Sequence, residues 1–115
     1  MFSEVEKPEL FKNAYTEKAI YLKYDQAPVY YMITQRGDAI EIHVGADGRE
    51  GKKALREACK AVIEWVKDNY KWCDMLIAPV SIKSVYNLCK KLGFSDYGEY
   101  MFENGKARVM GISYG

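Results

Sequence analysis

The chain has 115 residues, one domain's worth, since domains commonly run about 100 to 150 residues, and this length argues against a second core. Hydrophobic residues make up 49% of it and aromatic residues 14%, enough large side chains to fill a core, which excludes a disordered chain. Lys and Arg number 17 against 16 Asp and Glu, a net charge of +1, so the overall basic excess of a nucleic-acid binder is missing.

Pro8 suits the first turn of a short helix over 8–15, in which Leu10, Phe11 and Tyr15 share a face. From residue 19 the pattern shortens to β-rich runs at 19–24, 29–34 and 39–44, divided by turn residues at 25–28 and at Arg36-Gly37-Asp38. Three antiparallel strands follow. In the third, Ile40, Ile42 and Val44 alternate with Glu41 and His43, so one face is apolar and the other carries the chain's single histidine beside a carboxylate. After Gly45-Ala46-Asp47-Gly48 the period becomes helical, with Leu55, Ala58, Cys59, Val62, Ile63 and Val66 predicting a helix over 50–69. The apolar run 75–80 predicts a strand buried on both faces. Ser81 stands where it could cap a second helix over 82–92, whose stripe is Val85, Leu88, Cys89 and Leu92 and whose stop is Gly93. Runs at 97–102 and 107–112 flank Glu103-Asn104-Gly105-Lys106, and Asn-Gly between such runs signals a hairpin. The order predicts an α+β domain over 1–115, with a mixed, mostly antiparallel central sheet flanked by helices.

No run approaches the roughly 20 apolar residues of a membrane span, and the first residues lack the basic and apolar regions of a secretion signal. A cytoplasmic protein without a membrane partner is expected. Cys59, Cys73 and Cys89 are odd in number, widely spaced and set among apolar residues, which predicts buried thiols in a reducing compartment and no metal site.

The start of the long helix is anomalous in charge. Cations near the positive end of a helix dipole are disfavoured by roughly 0.3 to 1 kcal/mol each. Yet Arg49, Lys52, Lys53 and Arg56 gather there, offset in part by Glu50 and Glu57. They form either a solvated face or the rim of an anion site. Glycines at 45, 48 and 51 favour the anion, because they let backbone N–H groups approach phosphate oxygens. The nucleotide P-loop pattern fails, since Gly51-Lys52 is followed by Lys53 and its first glycine would fall on Ala46. A dinucleotide-binding G-x-G-x-x-G unit fails too, because the helix follows an antiparallel meander.

Two segments carry a resemblance. Gly48-Arg49-Glu50-Gly51-Lys52-Lys53-Ala54-Leu55 resembles the pyrophosphate loop of the GNAT acyltransferases, and Leu88-Cys89-Lys90-Lys91-Leu92-Gly93-Phe94 resembles their second motif with its closing Gly-Phe. The likeness spans about 19–112 and is greatest to short GNAT-like proteins of tailed bacteriophages, some of them virion components. This chain departs from the family where Lys52 or Lys53 replaces a further loop glycine, where Cys89 replaces a Tyr that commonly protonates the leaving thiolate, and where Ile82 replaces a helix-opening Asn. Its short N-terminal part implies the loss of the first strand and of one acceptor-side helix.

The resemblance implies transfer of an acetyl group from acetyl-CoA to an amine, on a small molecule or a protein. The backbone from Arg49 through Glu50, Gly51, Lys52 and Lys53 to Ala54 would hold the pyrophosphate, and Lys52, Lys53 or Arg56 the outer phosphate. Pantetheine would lie along the strand ending in Ile42-His43-Val44, where it splays from 75–80. His43 or Glu41 would take the amine's proton, Val44 N–H would face the oxyanion, and Cys89 or Tyr86 would supply the acid. The alternative is a non-catalytic GNAT-fold phage protein, structural or host-interacting, located in the host cytoplasm or the virion. A homodimer or a virion or host protein partner is compatible with that alternative. A nucleic-acid module using Lys52, Lys53, Lys60 and Lys67 is opposed by the near-zero net charge.

Overall fold

A computed structural model describes residues 1–12, 18–46, 51–102 and 105–115. Seven strands are present among them: β1 Phe2–Val5, β2 Ile20–Tyr24, β3 Val29–Arg36, β4 Ala39–Ala46, β5 Met75–Val80, β6 Ser95–Phe102 and β7 Gly105–Ser113. Two α-helices, α1 Lys52–Asn69 and α2 Lys83–Lys91, and a 3₁₀ turn at Glu9–Phe11 accompany them. The strands form one sheet in the order β1-β2-β3-β4-β5-β7-β6, antiparallel throughout except for the central β4–β5 pair. The mixed, mostly antiparallel architecture expected from the sequence is the one observed.

Alternation along the strands sorts side chains onto two faces. Leu22, Tyr31, Ile33, Ile40, Ile42, Leu76, Ala78, Val80 and Met110 join Ala58, Val62 and Val66 of α1 and Cys89 of α2 in the main core. The opposite face holds a smaller cluster of Phe11, Tyr21 and Met32, seated by the 3₁₀ turn. Glu41 and His43, alternating with Ile40, Ile42 and Val44, project on that second face. β5 is buried chiefly on one face: Leu76, Ala78 and Val80 are covered, whereas Met75, Ile77 and Pro79 are half-buried.

Four local expectations change. A helix over 8–15 is replaced by the short 3₁₀ turn, and residues 13–15 lie outside the described residues. The first strand is present: β1 pairs antiparallel with β2, and the Phe2 ring packs against Tyr24, Tyr31 and Trp65 at 5.3, 5.9 and 6.3 Å. Four residues are too few to show a period, but an edge register and three aromatic contacts hold them. Ser81 does not cap α2; the N-cap is Ile82, without a side-chain hydrogen bond. The hairpin closes at Phe102 opposite Gly105, so Gly105 belongs to β7, and Glu103 and Asn104 lie outside the described residues. Gly93 does stop α2. It takes φ +98, its N–H donates to Lys90 O at 3.2 Å, and Phe94 N–H donates to Cys89 O at 2.9 Å, the paired bonds of a Schellman motif. Among the described residues no helix is long and apolar enough to cross a membrane.

Candidate active site

The centre of the sheet comes apart. β4 and β5 share only the pairs Ala39–Met75, Ile40–Leu76 and Glu41–Ile77. Beyond them β4 follows β3 as far as Ala46 opposite Val29, while β5 follows β7 as far as Val80 opposite Arg108. The gap opens onto a cleft of about 200 Å³, walled by Val44 and Pro79 from the strands, Cys59 and Val62 from α1, and Val85 and Cys89 from α2. His43 stands on its lining.

Backbone pairing decides what the two strands offer the gap. The turn Gly37-Asp38, with Gly37 at φ +62, closes on Arg36 opposite Ala39, a hydrogen-bonded pair in a two-residue hairpin. Every second residue of β4 from Ala39 therefore bonds to β3, and Ile40, Ile42 and Val44 turn their N–H groups towards β5. By Val44 the partner strand has departed, which leaves that N–H facing the cleft. On β5, Tyr114 N–H donates to Asp74 O at 2.9 Å, so the bonded positions with β7 fall at Leu76, Ala78 and Val80. Pro79 thus turns its nitrogen, which carries no hydrogen, towards β4. A ladder continued past Ile77 would lack that donor, and Pro79 therefore disfavours closure of the gap.

On the opposite face of β4, His43 Nε2 lies 2.7 Å from Glu41 Oε2. A carboxylate only accepts, so Nε2 carries the hydrogen and, in the neutral ring, Nδ1 keeps its lone pair free. Arg36 Nε donates to Glu41 Oε1 at 3.4 Å. The hydrogen bond from His43, with the charge of Arg36 beside it, holds the Glu41 carboxyl below the usual carboxylate range despite its burial. An orienting carboxylate, a ring nitrogen with a free lone pair and a neighbouring backbone donor are thus gathered within four residues of one strand.

At the helix end of the cleft, the N-cap of α1 is Gly51, in ordinary extended conformation, and with no side chain it leaves the first turn uncapped. No acidic residue stands in that turn, and Lys52 and Lys53 are exposed. Among the described residues, a Cβ on Gly51 would meet nothing within 4 Å. Ala54 is half-buried against the core, whereas Arg49 and Glu50 lie outside the described residues.

The two candidate acids differ in placement. Cys89 lines the cleft, but it is buried, and that burial pushes its thiol up to about 11. Tyr86 is absent from the cleft lining; its hydroxyl donates to Asp96 Oδ2 at 3.0 Å, an acceptor that raises its pKa. Asp96 also receives Arg108 Nε at 2.7 Å and Gly98 N–H at 2.8 Å, and these donors hold its carboxyl down at about 2. Sequence reading missed this cluster, for which Gly98 inside the β6 run was the one available sign, as a bulge. It also missed Tyr31, a fully buried wall of the cleft whose hydroxyl donates to Cys59 Sγ at 3.1 Å. Among the described residues, no group of three His, Cys, Asp or Glu side chains could hold a metal ion.

The sequence matches no protein-family model and no curated protein. In structure it is similar to the ribosomal-protein-S18-alanine N-acetyltransferase from Escherichia coli, with a TM-score of 0.72 at 14% identity over 98% of this chain and 92% of that one. The aminoglycoside acetyltransferase AAC(6')-Ib, solved in complex with coenzyme A, gives a TM-score of 0.69 at 14% identity over 84% and 66% of the two chains. A GNAT-family acetyltransferase from Bacillus anthracis gives 0.66 at 15% identity, again over 84% and 66%. Apart from the Escherichia coli enzyme, this chain spans 61 to 70% of the length of such counterparts. The fold is therefore the GNAT fold.

Proposed function

We propose that this chain is an acyl-CoA-dependent N-acyltransferase that transfers an acetyl group to an amine. The observation that carries the reading is the opening between β4 and β5, which sets an unpaired Val44 N–H and the His43–Glu41 pair beside one apolar cleft. The residues present fit acetyl-CoA. The uncapped start of α1 suits a pyrophosphate, the exposed Lys52 and Lys53 suit the outer phosphate, and a cleft of about 200 Å³ with apolar walls suits a slender pantetheine arm. Bound there, the coenzyme would supply an activated acyl thioester.

The chain's own residues then have separable tasks. Nδ1 of His43 accepts the proton that an ammonium must lose before its nitrogen can attack. Glu41 fixes the ring by its bond to Nε2 and stabilises the imidazolium that results. Val44 N–H is the donor available to a developing oxyanion. Cys89, held neutral by burial, is a wall of the cleft in this reading, and Tyr86 serves Asp96.

A second reading is favoured by one observation: neither Cys89 nor Tyr86 is poised to protonate a leaving thiolate. In that reading the chain is a non-catalytic GNAT-fold protein, of the phage structural or host-interacting kind, that keeps the cleft without the chemistry. Thiol release from acetyl-CoA in the presence of a panel of primary amines separates the two. The enzymatic reading expects turnover that His43→Ala abolishes in a folded protein. Coenzyme binding without turnover of any amine supports the scaffold.

A further inference from the structure

A row of residues crosses four strands on the face opposite the helices. Thr34 stands opposite Glu41, Glu41 beside Ile77, and Ile77 opposite Gly111. Their neighbours Ile33, Ile40, Leu76 and Met110 belong to the helix-side core, so the row projects the other way. Gly111 adds no side chain, and the Tyr97 ring takes the space: a Cβ there would lie 2.9 Å from Tyr97 Cε2. Tyr97 is nevertheless 50% exposed, with much of its surface open to solvent.

A β-bulge brings Tyr97 to that position. Asp96 opposes Met110 and Glu99 opposes Arg108, which leaves Tyr97 and Gly98 both facing Val109. Gly98 takes φ +105, and its N–H, Arg108 Nε and the Tyr86 hydroxyl all converge on Asp96. The bulge is thus pinned from α2 and from β7. At the far end of the row stand the ionised Glu41, which already accepts from His43 and Arg36 and would have to share those bonds with a ligand, and Thr34, whose Oγ1 is buried and has no hydrogen-bond partner among the described residues. Glu41 and Gly111 are separated by two strand spacings, about 10 Å. Half-buried Ile77 is the floor between them.

We propose that Tyr97 determines acceptor specificity, forming with Ile77 and Glu41 a shallow bed for a slender primary aliphatic amine. The alkyl stem lies on Ile77 against the Tyr97 ring, and the ammonium end reaches the carboxylate of Glu41. An apolar floor with an aromatic ring at one end and a carboxylate at the other matches a molecule with one apolar and one cationic end. The meaning of this bed for catalysis rests on the acyltransferase reading; its existence as a binding site does not.

Hexylamine is a suitable probe, titrated against wild type, Tyr97→Ala and Tyr97→Phe by NMR shift perturbation, with and without acetyl-CoA. Saturable binding is expected, weakened about fivefold or more in Tyr97→Ala and retained in Tyr97→Phe, with coenzyme affinity the same in all three. In turnover, Tyr97→Ala raises KM for hexylamine and leaves kcat near wild type. No saturable hexylamine binding to wild type, or equal affinity in Tyr97→Ala, overturns the proposal. Tyr97-dependent amine binding without any coenzyme binding keeps the bed and removes the acyltransferase reading. Turnover with Tyr97-independent hexylamine affinity does the reverse.

Discussion

His43 and Glu41 share one hydrogen bond, and in the proposed reading they have unequal tasks, so their substitutions separate. His43→Ala is expected to lower kcat by about 10² to 10⁴, with Glu41→Gln smaller, because the ring keeps its lone pair and loses only its orientation. Calorimetric affinity for acetyl-CoA should stay at the wild-type value in both. Cys89→Ala is expected to keep kcat within about twofold in initial-rate assays, whereas an acid at that position would cost the 10²-fold or more typical of general acid catalysis. Asp96 tests the electrostatics of the bulge. Its folded pKa, about 2, lies below the ordinary carboxylate value, so its contribution to stability is present above that ordinary value and is lost as pH falls through about 2. Thermal melts between pH 5 and 2 should therefore show a steeper acid loss for wild type than for Asp96→Asn. The pairing of His43 with Glu41 was legible in the sequence, since alternation puts residues two apart on one strand face. The Asp96 cluster was not. It joins a helix, a bulge and a strand, and no local spacing states that Tyr86 and Arg108 will meet one carboxylate.

Among the elements, the divergence of β4 from β5 depends on what each backbone can donate. Pro79 withholds an N–H on the side facing β4, and the cleft stays open where the ladder would otherwise continue. The start of α1 is the second determinant. Gly51 has an ordinary extended backbone and, among the described residues, open space around it, so Gly51→Trp should fold normally while weakening acetyl-CoA binding about tenfold, as should Lys52→Glu. Equal calorimetric affinity in these variants would move the phosphates elsewhere. Gly45 is different, because a Cβ there would collide with Leu10 and come within 2.9 Å of Phe11. Gly45→Val should displace the 3₁₀ turn and cost roughly 1 to 3 kcal/mol by urea denaturation. The long helix was readable because its period runs for many residues, and the strand Met75–Val80 because it is an unbroken apolar run, although that run did not reveal that only one of its faces is buried. β1 and the 3₁₀ turn are four and three residues long and were not; they exist because Phe2 and Phe11 find aromatic neighbours that are distant in sequence.

Across the whole molecule, the sheet is a partition with one breach. Both helices lie on one face with the main core, the Glu41–His43 pair and Tyr97 lie on the other, and the parted strands connect them. Under the proposed acyltransferase reading, this arrangement would let a coenzyme enter from the helix side and an amine from the opposite side, so the two would not compete for one surface. The fold was legible from the order of periods along the chain. The breach was foreseen only through the resemblance, because strand departure depends on backbone hydrogen bonds that side-chain patterns do not display. The most direct test is a calorimetric titration of the whole protein with acetyl-CoA. Saturable binding of one coenzyme per chain, weakened by Gly51→Trp, is the predicted result; no measurable heat at millimolar coenzyme, with the protein folded, would contradict a coenzyme site in the cleft.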